Sequence, residues 1–569
     1  MHAPRPGGRA RQALLHYLTA RAADIPQAEL VLFLRLAERF TDFQAKETKK
    51  HADKLLPENI RNNAARLDAL LAAITVCDPA IGSGAFPVGM MLEICRARMA
   101  LAAMEGMPEQ TFYHLKRHAI QHSLYGVDLD PGAVEIAKLR LWLSMVVDED
   151  NITDIQPLPN LDYKIMQGNS LLEEFDGVHL LDDKLLQPPA ASRESEIANL
   201  KTRRSAFQAE AIRLHGEGKK GAPQKLAAEQ EIKRLNKQLS ALVNPDEAGT
   251  DGQGELNQQT SWASLKRIQE LHSKFFDENS RAEKDKLRRE LDALEWNFME
   301  ATLREQGREA ALAELKRASA THRKPFFLWR LQFGEVFQQR GGFDVVIMNP
   351  PYGADFNEYE KGVLKTKYDH IAERIRNSFL YFMGLGYNIA KADGVLSYIL
   401  PNEFLFQIYM TKARRFFVNN SQVLYAINAG EDVFDAIVPT CVVAFQKRTV
   451  NSYPIPVADL RECTLELLES RLDTSTFAAS SSDIVLATPN SIFAFDLGST
   501  ALINKLAKNF VPFGDFCEDV ANGISTSCDE IYIVTAKFAE SEGFEKNYLK
   551  QCIRGGQFNR YYCPPTTNE

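Results

Sequence analysis

The sequence predicts an α/β protein built on a doubly wound, parallel sheet, and three observations carry that expectation. Short β-type runs alternate with longer apolar helical stretches between Ile74 and Met166. The first of these runs stops at Asp78-Pro79 and opens into a glycine-containing turn, Gly82-Ser83-Gly84, before a helix. A further strand, Phe343 to Met348, ends in Asn349-Pro350-Pro351-Tyr352. Strand, helix, strand, helix, strand is the pattern of a parallel sheet with helices on both faces.

The elements follow in order. Residues 1–73 read as an N-terminal helical segment: Leu30, Leu32, Phe33, Leu36 and Phe40 recur at near-helical spacing, and Asn62 to Leu71 forms a second such stretch. Residues 74–183 read as the first half of the sheet, with strands at Ile74–Cys77, Ser123–Asp128 and Tyr163–Met166. The helices between them run from Pro87 to about Met104 and through Leu139, Leu141 and Leu143. Residues 184–325 are rich in Lys, Glu, Arg, Gln, Ala and Leu, and read as a helical, hairpin-like insertion. Leu226, Ile232, Leu235, Leu239 and Leu242 mark one amphipathic helix, and Leu287, Leu291, Leu294 and Phe298 another, with a break at Ala248–Gly254. Its charges read as a solvated face. Residues 326–450 resume the sheet with strands at Phe343–Met348, Gly394–Leu400, Val423–Ile427 and Cys441–Phe445. Residues 451–509 read as a linker, with Pro454, Pro456 and a loop-like stretch from Thr474 to Ser482. Residues 510–569 read as the start of a further unit that is cut short at Pro564-Pro565.

Composition bounds the function. A chain of 569 residues suggests two to four domains. Its 45% apolar and 25% charged residues are ordinary for a globular protein. With 67 Lys and Arg against 75 Asp and Glu, the net charge of −8 excludes a histone-like, wholly basic nucleic-acid binder, though not a local basic cleft. No apolar run approaches the roughly 18 residues that span a bilayer, so no membrane association is expected. The eight cysteines show neither metal-ligand nor disulfide-framework spacing, which fits free thiols in a reducing, cytoplasmic compartment and no metal site. Met1 to Arg21 is basic and lacks acids; it reads as a solvated start to a helix rather than a targeting peptide.

The chemistry sits in two motifs. In Asp78-Pro79-Ala80-Ile81-Gly82-Ser83-Gly84-Ala85-Phe86, glycines after a strand let backbone approach a ligand just before a helix starts. No Gly-Lys-Ser/Thr follows, so this is not a P-loop. The acid at the next strand end, Asp128, lies 44 residues after Gly84, against about 20 in the nicotinamide-type fingerprint. A carboxylate there can hold ribose hydroxyls; its competing role is helix N-cap before Pro131. In the second motif, two prolines fix the backbone and remove two donors. The Asn349 side-chain oxygen and the Pro350 carbonyl then face outward as acceptors, with the aromatic face of Tyr352 beside them.

Together these residues resemble class I AdoMet-dependent methyltransferases with a Rossmann-like sheet. The order of motifs is similar to the gamma class of N6-adenine DNA methyltransferases, and in particular to the methylase part of type IIG restriction–modification enzymes with a TaqI-like specificity domain. The resemblance covers roughly Ile74 to Lys447 around the insertion, and again Val520 to Tyr562. It implies that Asp78, Ala80, Gly82, Gly84 and Phe86 form the S-adenosyl-L-methionine loop, that Asp128 holds the ribose, and that Asn169 lies near the adenine of the cofactor. It implies Asn349, Pro350, Pro351 and Tyr352 as the catalytic motif. Phe445 would join Tyr352 in stacking on the flipped base, with a buried strand phenylalanine as the alternative. Gly523-Ile524-Ser525-Thr526 and Ile553-Arg554-Gly555-Gly556 are similar to the start of the specificity domain. A Tyr-Thr-Pro-like segment that the family carries upstream is not found in Met1 to Ala73. Glu47-Thr48-Lys49, with Asp42 before it, has the residue types of a nuclease site but lies in charged helical text, which argues for a solvated helix.

The resemblance implies transfer of a methyl group to the N6 amine of adenine in double-stranded DNA, within a restriction–modification or related phage-defence system. A nuclease or specificity partner would complete such a system. Lys412, Arg414, Arg415 and Arg554 are candidates for phosphate contact, each with a plain surface charge as the alternative. The alternative functions are a protein-glutamine or RNA methyltransferase, or a truncated, non-catalytic remnant that binds AdoMet or DNA.

Overall fold

Strand β1 (Val76–Asp78) lies inside the sheet, flanked by β2 (Leu124–Asp128) on one side and β6 (Phe343–Met348) on the other, all three parallel. Beyond β2 comes β3 (Ile165–Gln167), also parallel. A separate two-stranded piece pairs β4 (Glu174–Phe175) with β5 (Val178–His179). Beyond β6 come β7 (Ala390–Pro401), β9 (Thr440–Gln446), β8 (Gln422–Gly430), β10 (Pro454–Asp459) and β11 (Ala478–Ser481), giving a nine-stranded sheet among the described residues. In this computed structural model the described residues are 7–42, 55–104, 110–147, 161, 163–175, 178–179, 281–305, 307–320, 326–372, 377–430, 438–461, 478–493 and 495, with short stretches within 267–274, 502–510 and 536–543.

The expected doubly wound sheet is present, but it is not all parallel. β9 runs antiparallel to both β7 and β8, and β11 antiparallel to β10. Chain length explains β9. Only residues 431–439 separate β8 from β9, and a parallel return needs a crossover of a dozen residues or more. The stretch read as a linker also yields strands β10 and β11. Pro454 opens β10, a position where a strand tolerates proline.

Both sheet faces are covered by helices. On β6, Val345 and Ile347 enter one buried cluster, and Val346 and Met348 the other, as the two-residue period of a strand requires; Phe343 joins Val346 and Met348 out of that period, where the pairing with β7 shifts register between Phe343 and Val345. The first cluster holds α1 (Gly7–Arg21), α2 (Gln27–Asp42), α3 (Glu58–Asn62), α4 (Ala64–Ala73), α5 (Ala85–Ala102), α6 (Phe112–His122) and α7 (Pro131–Val146). Leu30, Phe33, Leu34 and Ala37 form the buried stripe of α2, whereas Leu32, read with them from sequence, is 46% exposed. Glu93 on α5 is buried and held by Arg11 Nε of α1 at 2.9 Å and by Arg96 at 2.7 Å. This charge pairing ties the N-terminal helices to the sheet layer.

The second cluster holds the end of the insertion, α8 (Arg281–Glu305) and α9 (Glu309–Ala320), joined through Gly307 at φ +66°. Leu291, Phe298 and Leu303 of α8 and Leu315 of α9 are buried in the same cluster as Trp329 and Phe343. The helix marked by Leu287 to Phe298 therefore packs into the helical layer rather than standing off it. The marks at Leu226–Leu242, the break at Ala248–Gly254 and the Glu47-Thr48-Lys49 triplet lie outside the described residues. The same face carries α10 (Trp329–Gln332), α11 (Gly334–Arg340), α12 (Glu358–Lys367), α13 (Ser378–Ile389) and α14 (Thr411–Asn420).

At the starting edge of the sheet, the amide and hydroxyl of Thr75 donate to Asp344 Oδ2, each at 3.0 Å, across 269 residues of sequence. Lys391 pairs with the other oxygen. This buried knot fixes the register of β6 against β1. The chain divides into two compact units, Met1–Ala501 and Leu502–Glu569. In the second unit the described residues include a short helix, Ala536–Ser541. Gly523–Thr526 and Ile553–Gly556 lie outside the described residues.

Candidate active site

Chain order reverses between β1 and β6: from β1 the chain winds outward through β2 and β3, and from β6 it winds the other way through β7. The crevice outside the strand ends at such a reversal is where open α/β sheets bind ligands. Val76 pairs with Val345 and Cys77 with Val346, so the loops after Asp78 and after Met348 leave the sheet side by side.

The glycine loop is built by backbone. The Ile81 amide donates to the Val127 carbonyl at 3.0 Å, and the Gly82 amide to Asp128 Oδ2 at 2.8 Å. Gly82 and Gly84 stand at φ +52° and +77°, where a side chain is strained. A Cβ on Gly84 would also meet Ala137 of α7 at 3.1 Å. Phe86, in the first turn of α5, is half-buried beneath the Arg9 guanidinium, 4.8 Å from its ring centre. Ala80, half-buried, packs on the core at the start of the loop.

Asp78 is fully buried. The Ala80 amide donates to its Oδ1 at 3.0 Å, while Oδ2 is buried without a hydrogen-bond partner. Burial pushes its pKa up to about 8; the Ala80 bond opposes that, and the nearby Asp128 charge adds to it. Asp128 ends β2 and accepts from the Asp130 amide at 3.0 Å as well as from Gly82. It is not the helix cap: Asp130 caps α7, accepting from the Gly132 amide at 2.8 Å, with Pro131 in the first turn. Leu129 between them is 60% exposed, and Gln167 donates to its carbonyl at 3.1 Å.

Asn169 follows β3 in a tight turn, its Oδ1 accepting from the Leu171 amide at 3.2 Å. Its Nδ2 lies 3.4 Å from Glu360 Oε1 on α12, so it spans the two halves of the crevice. The neighbouring Gly168 is pressed by Phe326 and Phe327; a Cβ there would meet Phe327 at 2.8 Å and the Phe326 carbonyl at 2.9 Å.

Past β6, Asn349 and Pro351 are exposed, Pro350 is buried and Tyr352 is half-buried. The Tyr352 hydroxyl donates to Asn349 Oδ1 at 2.9 Å, and its ring meets Phe379 edge-on at 6.2 Å. Burial raises the Tyr352 pKa, so the hydroxyl stays a donor at neutral pH. Ser378, buried at the start of α13, donates to the Pro351 carbonyl and accepts from the Ala354 amide at 3.2 Å. It thereby clamps both sides of the loop.

Asp78, Gly82, Gly84, Asp128, Asn169, Asn349 and Tyr352 thus gather along one rim of the sheet. Phe445 does not join them. It is 0% exposed, packs 4.7 Å from Phe417 and 6.1 Å from Tyr398, and pairs with Leu396 in the middle of β7, level with Val346 of β6. The buried-strand alternative is the one the packing supports. Arg414 is not a surface cation either. It is fully buried, donating to the carbonyls of Phe404, Gln407, Asn490 and Ser491 at 2.6–3.2 Å. Arg415 donates to Ser491 Oγ at 3.0 Å, Lys412 reaches the Asp369 carbonyl at 3.3 Å, and Arg554 lies outside the described residues. Sequence reasoning passed over Leu129, Phe327 and Ser378. Only Leu129, an apolar residue set between two aspartates, carried a local signal.

A glycine loop and an Asn-Pro-Pro-Tyr turn on abutting strands of a doubly wound sheet define a methylase. The chain belongs to the Eco57I restriction-modification methylase family, whose model matches residues 122–434, more than half of its length. It is 26% identical over 418 residues to a putative type II restriction enzyme and methyltransferase, RM.MjaORFECS2P, of Methanocaldococcus jannaschii; the match covers 70% of this chain and 32% of that protein. It is 27% identical over 201 residues to the type II restriction enzyme and methyltransferase RM.Eco57I of Escherichia coli, covering 34% of this chain and 19% of that one. The chain therefore spans about a third or less of the length of these relatives. Among solved structures it is similar to a modification subunit of a putative type I restriction enzyme from Vibrio vulnificus, at 10% identity and TM-score 0.32, covering 75% of this chain and 55% of that one. It is also similar to a DrdV–DNA complex, at 12% identity and TM-score 0.33, covering 75% and 30%. Among the described residues no helix is long and apolar enough to cross a membrane.

Proposed function

We propose that this chain transfers a methyl group from S-adenosyl-L-methionine to the N6 amine of adenine in double-stranded DNA, as the methylase part of a restriction–modification system that also holds a nuclease or specificity component. The observation that carries this reading is the placement of Asp78 and Asn349 at the ends of adjacent parallel strands, so that a cofactor loop and an amine-accepting loop share one crevice.

The residues present fit the cofactor. The unpartnered Asp78 Oδ2 offers a buried acceptor for an ammonium group. Each Asp128 oxygen holds one backbone amide and keeps a further lone pair for a ribose hydroxyl. The exposed Leu129 gives a flat apolar surface for an adenine ring, next to Asn169. When bound, the cofactor supplies an electrophilic methyl group with its own leaving group. On the substrate side, the amine lone pair of adenine is delocalised into the ring and must be drawn out. Asn349 Oδ1 and the Pro350 carbonyl would accept the two amine hydrogens and aim the lone pair. The Tyr352 hydroxyl orients Asn349, and Ser378 holds the turn. This is catalysis by positioning and fixed dipoles. The target base must first leave the duplex, at a cost of a few kcal/mol, which stacking on Tyr352 offsets by about 1–3 kcal/mol.

The test is methyl transfer from labelled AdoMet to duplex DNA, RNA and protein by the parent and by Asn349→Ala. Label on adenine N6 of DNA, reduced about 10²–10³-fold in the variant with AdoMet binding kept, is the expected result. Label on protein or RNA instead, or an unimpaired variant, would overturn the reading.

A further inference from the structure

On the face covered by the N-terminal helices, α1 and α2 leave a cleft of about 450 Å³ against β8, β9 and β10, within the size range of sites for small organic ligands. It lies away from the methylase loops: Gln422, which lines it, starts β8 opposite Gln446 at the end of β9, whereas Asn349 follows the other end of the sheet. Gln27, Val31 and Arg35 of α2 are spaced four apart, so they present one helix face to the cleft.

The lining is electropositive. Arg35 and Arg448 both contribute to it, and no Asp or Glu does among the described residues. Arg448 Nε donates to Gln422 Oε1 at 2.8 Å. Arg35 Nε is buried with no hydrogen-bond partner, and a guanidinium N–H kept from water without an acceptor is unfavourable. The remaining walls are apolar or aromatic: Pro454 and Pro456 on the strand side, and His16 with its ring 5.8 Å from Tyr425. Burial pushes His16 down to about 4, so at neutral pH it adds an uncharged ring. Two guanidiniums, one with a donor unused, in one cleft with the His16 and Tyr425 rings describe a receptor for an anion on a planar body.

We propose that this cleft binds a small organic anion, bearing phosphate or carboxylate and no larger than a nucleotide, with Arg35 as its charge partner. It shares no residue with the cofactor or catalytic loops, so it stands or falls separately from the methylase reading. The experiment is calorimetry on the whole chain with the cofactor site saturated by S-adenosylhomocysteine, titrating adenosine monophosphate, inorganic phosphate and adenosine. Binding of either anion but not of adenosine is expected. Arg35→Met should weaken it by about tenfold or more. Gln27→Glu, which puts a carboxylate at an exposed position of the cleft wall, should weaken it likewise without disturbing the fold. No heat from either anion at millimolar concentration, or affinities that both variants leave unchanged, would overturn the proposal.

Discussion

A carboxylate with one oxygen satisfied and the other buried and bare, as in Asp78, is poised by its surroundings rather than by its own chemistry. Its pKa near 8 in the folded chain exceeds the reference of 3.8. Below about pH 4 both folded and unfolded chains hold the proton. Between about 4 and 8 the unfolded chain has released it and the folded chain has not, so stability falls as pH rises, by at most about 1.4 kcal/mol per pH unit from this group. Above about 8 the slope from this group vanishes. Denaturant midpoints across this window should decline more steeply for the parent than for Asp78→Asn; parallel curves would refute the assignment. A donor placed against Oδ2 favours the ionised form, so AdoMet should bind more tightly toward pH 8, and this trend too should be absent in Asp78→Asn. At the other loop, Ser378 touches no reacting atom and acts by holding Pro351 and Ala354. Ser378→Ala should lower kcat by about tenfold while leaving AdoMet affinity intact, and Ser378→Thr should restore much of it. Equal losses in AdoMet affinity and kcat would mark a merely structural serine.

At the scale of elements, Arg414 shows how a cation in α14 can serve the fold. It gathers the carbonyls of Asn490 and Ser491, both at positive φ, with those of Phe404 and Gln407. Arg414→Met should therefore cost several kcal/mol in a denaturant melt, since hydrogen bonds to a charged group contribute roughly 1.5–3 kcal/mol each. A stability within 1 kcal/mol of the parent, roughly the surface-substitution range, together with weakened DNA binding, would return Arg414 to the phosphate-contact role. The same residue shows what the sequence conceals. Strands β1, β2 and β6 were legible because each apolar run gives way abruptly to a polar residue at its C-terminal end, Asp78, Asp128 and Asn349 in turn. The direction of β9 was not, because it depends on the short chain between Gly430 and Thr440. Strand β10 was hidden by Pro454 and Pro456, both of which precede the Val457–Asp459 stretch that pairs with β8. Phe445 and Arg414 were misplaced because every β9 residue is buried, so alternation cannot show which end or face a side chain serves, and α14 buries its arginine against a segment far along the chain. The catalytic motif was readable as residues; the clamp that Ser378 puts on it was not, since it arises only when α13 docks beneath the loop.

For the whole molecule, the net charge of −8 opposes approach to a polyanion, so the proposed binding of duplex DNA must rest on local contacts rather than on global attraction. If duplex DNA is the substrate, its phosphates meet a limited set of cations, and each neutralised phosphate contributes a slope of about −0.9 to log K against log salt. Lys412 and Arg415 are exposed on α14, where a phosphate would compete with Asp369 for Lys412 and with Ser491 for Arg415; Arg414 is buried. Anisotropy titrations of a labelled duplex, with the cofactor product bound, should therefore weaken steeply as salt rises. Lys412→Ala should shallow the slope by about one contact and Arg414→Met should leave it unchanged in whatever fraction remains folded. Because phosphate contacts position a protein without reading sequence, the salt-sensitive part of the affinity should be nearly equal for random and specific duplexes. Affinity that is insensitive to salt would mean that phosphates are not the contact, and the duplex-DNA assignment would give way to a protein substrate.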